Sequence, residues 1–385
     1  MPSPVQRATK LFVRTFGTSP DACFQAPGRI NLMGEHTDYN EGFVLPAAVN
    51  FRVLAAVKRR EDDLFRVVTD IDADNFVEWT FGKEALEDTD FHWSHYLKSF
   101  TAALAMSGLK SCGVDVAIIS DIPMESGFSS SAALQIAFGT AVNNSSQLFL
   151  SPLAIAQLAQ RGEHHFMART CGMKDQMISA LAEADQALLI DCLDLDYESV
   201  TIPDNLSIII VHSGKYAKDI QTKYQLRKDE CQQVAEYFGL ESLRHVSESQ
   251  LKQHRSQLDE HLYQRARHVI TENARTQSAA RALEQGNIKK ISKLMEQSHQ
   301  SMRDDFEMSI PEIDLLVDII KQQVGDRGGV RLTGSGFGGS VIALVEHELT
   351  DDVVTAVETQ YLAHTGIEAQ VYLCSAAAAA ARVDE

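Results

Sequence analysis

A strand-like apolar run followed closely by three serines and an apolar helix constrains this chain more than any other feature. GVDVAIIS (113–120) is rich in β-branched residues and reads as a buried strand. Ser129, Ser130 and Ser131 then open a helix that continues to about residue 146. The first turn of a helix leaves N–H groups without partners and carries partial positive charge, so a turn of this kind can collect an anion. Serine hydroxyls can also ligate Mg2+. A plainer reading stands beside it, because serine is a preferred N-cap and needs no ligand in that role. Neither GxxxxGKS nor GxxxxGKT occurs, which excludes an ordinary Walker loop. Glu125 places a negative charge in the same loop, an odd companion for an anion.

The surrounding pattern is mixed. Residues 51–60, 64–70 and 75–81 read as strands, 94–109 as a helix, and 152–168 as a helix begun by the Ser151-Pro152 cap. After 187–195, the stretch 198–207 reads as a boundary, giving expected domains 1–204 and 205–385. Beyond it come a strand at 207–213, a mostly helical stretch to about 325, two strands around a glycine turn at 328–346, a helix, and a last strand at 368–376. The alanine-rich tail fits a frayed helix or disorder equally. The expected fold class is α+β, in two domains with a cleft between them, where small ligands are commonly held.

Two further segments carry chemistry. PGRINLMGEHTDYNEG (27–42) gathers Arg29, Glu35, His36, Thr37 and Asp38 among glycines. Carboxylates accept from sugar hydroxyls and histidine can donate or accept, so the set suits a polyol; metal ligation and a solvated turn remain open on spacing alone. TGSGFGG (333–339) makes a hairpin turn or lets backbone approach a ligand.

Composition narrows the partners. A net charge of −18 over 385 residues argues against nucleic acid and anionic membrane. No apolar run approaches the ~20 residues needed to span a bilayer, and residues 1–16 lack the apolar core of a signal peptide. The six cysteines are widely spaced, which reads as reduced thiols in a cytoplasmic protein. The adjacent His164 and His165 fall on different helical faces and are not read as metal ligands.

Taken in order and separation, the three segments resemble the GHMP small-molecule kinases, specifically the galactokinase branch. PGRINLMGEHTDYNEGFVLP (27–46) is similar to the sugar signature of that branch almost letter for letter. The serine loop resembles the family's phosphate motif and RLTGSGFGGSVIAL (331–344) its third motif. CGMKDQ (171–176), YQLR (224–227), and segments 270–286 and 298–314 extend the likeness over nearly the whole chain.

The resemblance implies a two-domain GHMP kinase fold with the active site in the cleft, using ATP and Mg2+ to phosphorylate D-galactose at its 1-hydroxyl. Asp175 and Arg29 would be catalytic, and Glu35, His36, Thr37, Asp38, Gly172 and Tyr224 would bind sugar. Glu125, Ser126, Gly127, Phe128, Ser129, Ser130 and Ser131 would bind nucleotide, with Ser131 and Glu163 as metal ligands. An arginine beside Asp175 would make it a weak base, better suited to orienting a hydroxyl. Galactose and ATP are the expected partners, and a monomer is the simplest expectation, although the sequence gives no oligomeric state.

Several positions depart from the family pattern. Glu125 replaces a glycine, Ser126 and Phe128 are altered neighbours, Gln135 stands where glutamate is common, and Lys174 replaces an apolar residue beside Asp175. They keep two alternatives in view: a galactose- and ATP-binding sensor of the same fold with impaired catalysis, and a kinase for an N-acetylated galactose relative.

Overall fold

Seven strands from the first part of the chain and one from its end form an eight-stranded sheet, and four strands of the second part form another. This is a computed structural model, describing residues 2–84, 92–123, 127–167, 172–216 and 218–383. Helix α1 (Pro4–Phe16) opens behind a capping box in which Ser3 and Gln6 bond reciprocally, with proline at the first helical position. Its Ala8, Leu11 and Phe12 pack with Leu54, Ala56, Val68 and Ile119 of the first sheet.

Strand β1 (Ala22–Met33) pairs antiparallel with β2 (Phe43–Arg59), and the connection between them carries the GEHTDYN turn. The strand expected at 51–60 is thus the second half of a longer one. Strands β3 (Leu64–Thr69), β4 (Phe76–Thr80) and β5 (Val114–Ser120) complete the order β1-β2-β5-β3-β4. Helices α2 (Ser94–Met106), α3 (Ser130–Ser145), α4 (Pro152–Phe166) and α5 (Lys174–Leu181) contribute Leu97, Ile136, Ile155 and Met177 to the core shared with this sheet. Strands β6 (Gln186–Asp191) and β7 (Tyr197–Thr201) branch from β2.

The second sheet follows the order β11-β8-β10-β9, from β8 (Leu206–Tyr216), β9 (Gly328–Thr333), β10 (Gly338–Glu346) and β11 (Gln370–Cys374). The long helical stretch resolves into α6 (Ile220–Tyr237), α7 (Glu248–Gln253), α8 (Glu260–Glu284), α9 (Ile288–Asp304) and α10 (Pro311–Val324). Helix α11 (Thr350–Ala356) runs through a π-helical turn, Val357–Tyr361, into α12 (Leu362–Thr365).

The tail forms neither helix nor loose end. Ala379 and Ala380 donate backbone bonds to Ala182 and Ser179, and β12 (Ala381–Val383) then pairs with the edge of β1. Pairing at the open sheet edge gives the backbone N–H and C=O groups of β12 their partners. The second half therefore returns one strand to the first sheet. The two layers also share a core: Ile210, Ile342, Leu344, Leu283 and Met295 belong to the same apolar cluster as Ile30, Val53 and Met177. A second cluster, with Val211, Val341 and Phe306, lies on the other face of the small sheet. A large apolar interface of this kind resists relative domain motion.

Candidate active site

The cleft is built around a half-buried ion pair. Arg29, on β1, donates from Nε and Nη2 to the two carboxylate oxygens of Asp175 at 2.6 Å each, and from Nη1 to the Gly127 carbonyl at 2.6 Å. Ser129 Oγ donates to Asp175 Oδ2 at 2.5 Å. Burial alone would push the Asp175 carboxyl up, but the Arg29 guanidinium, helped by Lys174 and Ser129, holds it down at about 2. Asp175 is thus an anion near neutral pH.

Ser129 matters in a second way. It occupies the N-cap of α3 in a left-handed conformation, and its side chain makes no bond to the helix it precedes. The expected capping alternative therefore fails for Ser129. No side-chain cap occupies the first N–H groups of α3, which lie beside Gly127, itself at φ +82°. Phe128 turns inward, with its ring against Phe51 and Tyr372, so a loop nucleotide contact at that position falls to backbone. Glu125, Ser126 and Cys171 lie outside the described residues.

A cavity of about 440 Å3 opens beside the pair, lined in part by Glu35, His36, Asp38, Gly172, Lys174 and Tyr224. Asp38 Oδ2 accepts from Lys174 Nζ at 3.0 Å, while its buried Oδ1 has no hydrogen-bond partner. His36 Nδ1 bonds Tyr39 Oη at 3.0 Å, and its buried Nε2 has none. Burial holds His36 down at about 4 despite Glu35 and Asp38 nearby, so the ring is neutral. A carboxylate oxygen and an imidazole nitrogen, both enclosed and unpaired among the described residues, have hydrogen-bonding capacity that hydroxyl groups could fill. Gly172 packs where any Cβ would lie 2.9 Å from Asp38 Oδ2.

Thr37 is placed differently from the expectation. It is fully buried, and its hydroxyl donates to the Gly34 and Phe43 carbonyls at 3.0 and 2.7 Å, closing the turn rather than facing the cavity. Gly34 itself sits at φ +89°, where a Cβ would come within 2.5 Å of the Phe43 carbonyl.

Ser131 and Glu163 line the same cavity from α3 and α4. Glu163 is 4% exposed and its Oε1 accepts from Gln176 Nε2 at 2.9 Å. One hydroxyl and one carboxylate are a sufficient protein contribution for Mg2+, which keeps phosphate oxygens and water as its other ligands. His164 and His165 are exposed and outside the cavity lining, and among the described residues no cluster of three His, Cys, Asp or Glu could hold a metal. Gln135 is buried away from the cavity, donating to the Tyr96 and Ala159 carbonyls. The five described cysteines are free thiols.

Three family models match in chain order: the galactokinase galactose-binding signature over residues 10–59, the GHMP kinases N terminal domain over 95–183, and the GHMP kinases C terminal over 279–363. The galactokinase of Lactococcus lactis, solved with galactose, superposes with a TM-score of 0.91 at 31% identity, covering 97% of this chain and 98% of that one. The chain belongs to the galactokinase family of GHMP kinases. The mevalonate kinase of Methanococcus jannaschii (TM-score 0.63, 18% identity, 92% and 98% covered) and the homoserine kinase of Cytophaga hutchinsonii (0.61, 15%, 94% and 97%) share the fold.

Within this galactokinase-family cleft, the third motif does work that its glycines do not announce. Glu35 Oε1 accepts from Arg331 Nη2 at 2.9 Å, Thr333 Oγ1 at 2.9 Å and the Gly334 N–H at 2.8 Å. Arg331, fully buried, also donates to the Leu32 and Leu332 carbonyls. Strand β9 thereby clamps the turn that carries His36 and Asp38. From the other side, Glu272 on α8 accepts from the Gly34 N–H at 3.1 Å, and His268 Nε2 bonds the Glu35 carbonyl at 3.1 Å. A buried arginine inside a strand pattern was the available signal for this clamp. Lys174 pairs with Asp38 and also adds to the positive field that holds Asp175 down.

Proposed function

We propose that this chain transfers the γ-phosphoryl group of ATP to the 1-hydroxyl of D-galactose, giving α-D-galactose 1-phosphate and ADP, the entry step of galactose catabolism. One observation carries the reading. The Arg29–Asp175 pair, Asp38 and His36 with their unpaired atoms, and the start of α3 all line one cavity. Sugar acceptor and phosphate donor can therefore meet at Asp175. The same lining supports a sugar site at Glu35, His36, Asp38, Gly172 and Tyr224 and a nucleotide site that includes Ser129 and Ser131.

In this mechanism Asp175 accepts a hydrogen bond from the 1-hydroxyl and fixes its lone pair toward phosphorus. With its basicity held so low it orients the nucleophile rather than storing the proton, which passes to an oxygen of the transferred phosphoryl group as the new O–P bond forms and the bridging bond to ADP breaks. Arg29 faces the negative charge on the transferring group, and the first N–H groups of α3 hold the phosphates behind it. Ser131 and Glu163 are the residues that would hold Mg2+, which when bound neutralises charge on the β- and γ-phosphates. Residues 1–204 carry the sugar signature and phosphate loop, and 205–385 the glycine-rich clamp, with β12 lent back to the first sheet. No described helix is long and apolar enough to cross a membrane, and we place the activity in the cytoplasm, where ATP is available.

The test is ADP release from purified protein with Mg·ATP and a sugar panel that includes N-acetylgalactosamine. Galactose-dependent turnover that Asp175→Ala abolishes supports the proposal. Tight galactose binding without turnover makes the chain a sensor, and preference for the N-acetylated sugar makes it a kinase of that relative.

A further inference from the structure

Lys174 breaks two local rules at once. It is the first residue of α5, where the helix dipole disfavours a cation, and its side chain is only 15% exposed beside the guanidinium side of the cleft. Residues that violate local preference without a packing reason mark functional positions. The ammonium has a partner in Asp38 Oδ2, yet that carboxylate, on a residue that lines the same cavity as Lys174, leaves Oδ1 buried and unpaired among the described residues. Lys174 also borders the smaller hollow of about 80 Å3 under the glycine turn, so its head group sits between the two spaces. Facing it are Asp38, Glu35 and His36 from the turn after β1, Arg29 from β1, Asp175 from its own helix and Tyr224 from α6.

An ammonium has three donors and no acceptor, and a carboxylate only acceptors. One Lys174 donor is engaged by Asp38. We propose that the remaining Lys174 donors and Asp38 Oδ1 together read a single hydroxyl of the sugar, Asp38 accepting its proton and Lys174 donating to its oxygen. This rests on the galactose reading above. It makes Lys174, at a position the family pattern fills with an apolar side chain, a specificity-determining residue of this chain. A site built to satisfy a hydroxyl in both directions rejects the analogue that lacks it, because two buried polar groups are then left unpaired.

The experiment is a matrix of wild type, Lys174→Met and Lys174→Gln against galactose and its 2-, 3-, 4- and 6-deoxy forms, read as kcat/KM. Wild type is expected to disfavour one deoxy sugar by on the order of 10³-fold or more, and Lys174→Met to erase at least ~10-fold of that preference at that carbon alone. Lys174→Gln, which keeps a donor, should restore part of it. A uniform loss across all five sugars would mean a structural role, and unchanged preferences would mean no role; either overturns the proposal. Thermal melting of each variant separates misfolding from altered recognition. Absence of galactose turnover in the wild type would instead fail the kinase reading itself.

Discussion

Arg29 grips Asp175 through two parallel N–H···O bonds of 2.6 Å, from neighbouring β1 and α5, and a third donor of the same guanidinium reaches the Gly127 carbonyl of the phosphate loop. One side chain thus fixes the nucleophile's anchor and the donor's cradle relative to each other. Because Asp175 is held at about 2, its protonation cannot shape activity near neutrality. The wild-type kcat should show no acid limb from this group between about pH 5 and 8. Arg29→Met removes the strongest force opposing the burial of that carboxylate. It should cost ~10³-fold in kcat and bring an acid limb into the measurable range. Rate profiles against pH decide this, and a wild-type limb that moves with Asp175→Glu would contradict it.

Glu35 and Arg331 form a buried ion pair joining the two layers, with exposures of 3% and 0%. Removing one member leaves an uncompensated charge in the core. Arg331→Met should therefore destabilise the protein by about 3–5 kcal/mol, and pairing it with Glu35→Gln should recover part of the loss. Urea denaturation of the three variants measures it. Equal stability of Arg331→Met and wild type would show that the clamp contributes nothing net.

How much of this was legible in sequence depended on distance along the chain. The Arg29, Asp38 and Asp175 grouping followed from motif order, and the structure brings them to one cavity. The Glu35–Arg331 clamp spans 296 positions and leaves no periodic trace, so a resemblance in each segment could not pair them. Thr37 fell inside a sugar signature, but its methyl and hydroxyl face the turn, because Gly34 and Phe43 present carbonyls there. The tail was ambiguous for a physical reason: alanine favours a helix, but a short isolated helix is marginal, and pairing with the open edge of β1 decided the outcome. Lys174 was visible as an anomaly beside Asp175, and only coordinates could direct it to Asp38.

The metal site gives a third prediction. Glu163 is the one buried carboxylate proposed to reach Mg2+, and Gln176 fixes its rotamer through Oε1. Glu163→Gln keeps the shape and removes the charge. The Mg2+ concentration for half-maximal rate should rise by at least ~10-fold, while galactose affinity measured by titration without nucleotide stays within about twofold. Loss of galactose affinity would place Glu163 in the sugar site instead.

Two buried histidines predict how stability responds to acid. His268, on α8, bonds Ser301 Oγ and the Glu35 carbonyl, and burial holds it down at about 3; His36 is held at about 4 for the same reason. Both are neutral in the folded chain at pH 7 and mostly neutral in the unfolded one, so they contribute little to the pH slope there. Below about 6.5 the unfolded imidazoles take up protons that the folded ones refuse, so stability falls as pH drops toward 4 for His36 and 3 for His268. The slope approaches about 1.4 kcal/mol per pH unit for each ring. Asp175 and Glu272, both held at about 2 when folded, favour the native state above the unfolded carboxylate range near 4 and lose that contribution only below it. The interval from about pH 6 to 5 therefore isolates the histidines. Denaturant titrations at those two values should show His268→Gln reducing the fall in stability by up to about half, whatever its effect on stability at pH 7. A slope unchanged by His268→Gln would mean that this ring is protonated inside the fold, and that the Glu35 turn rests on an imidazolium.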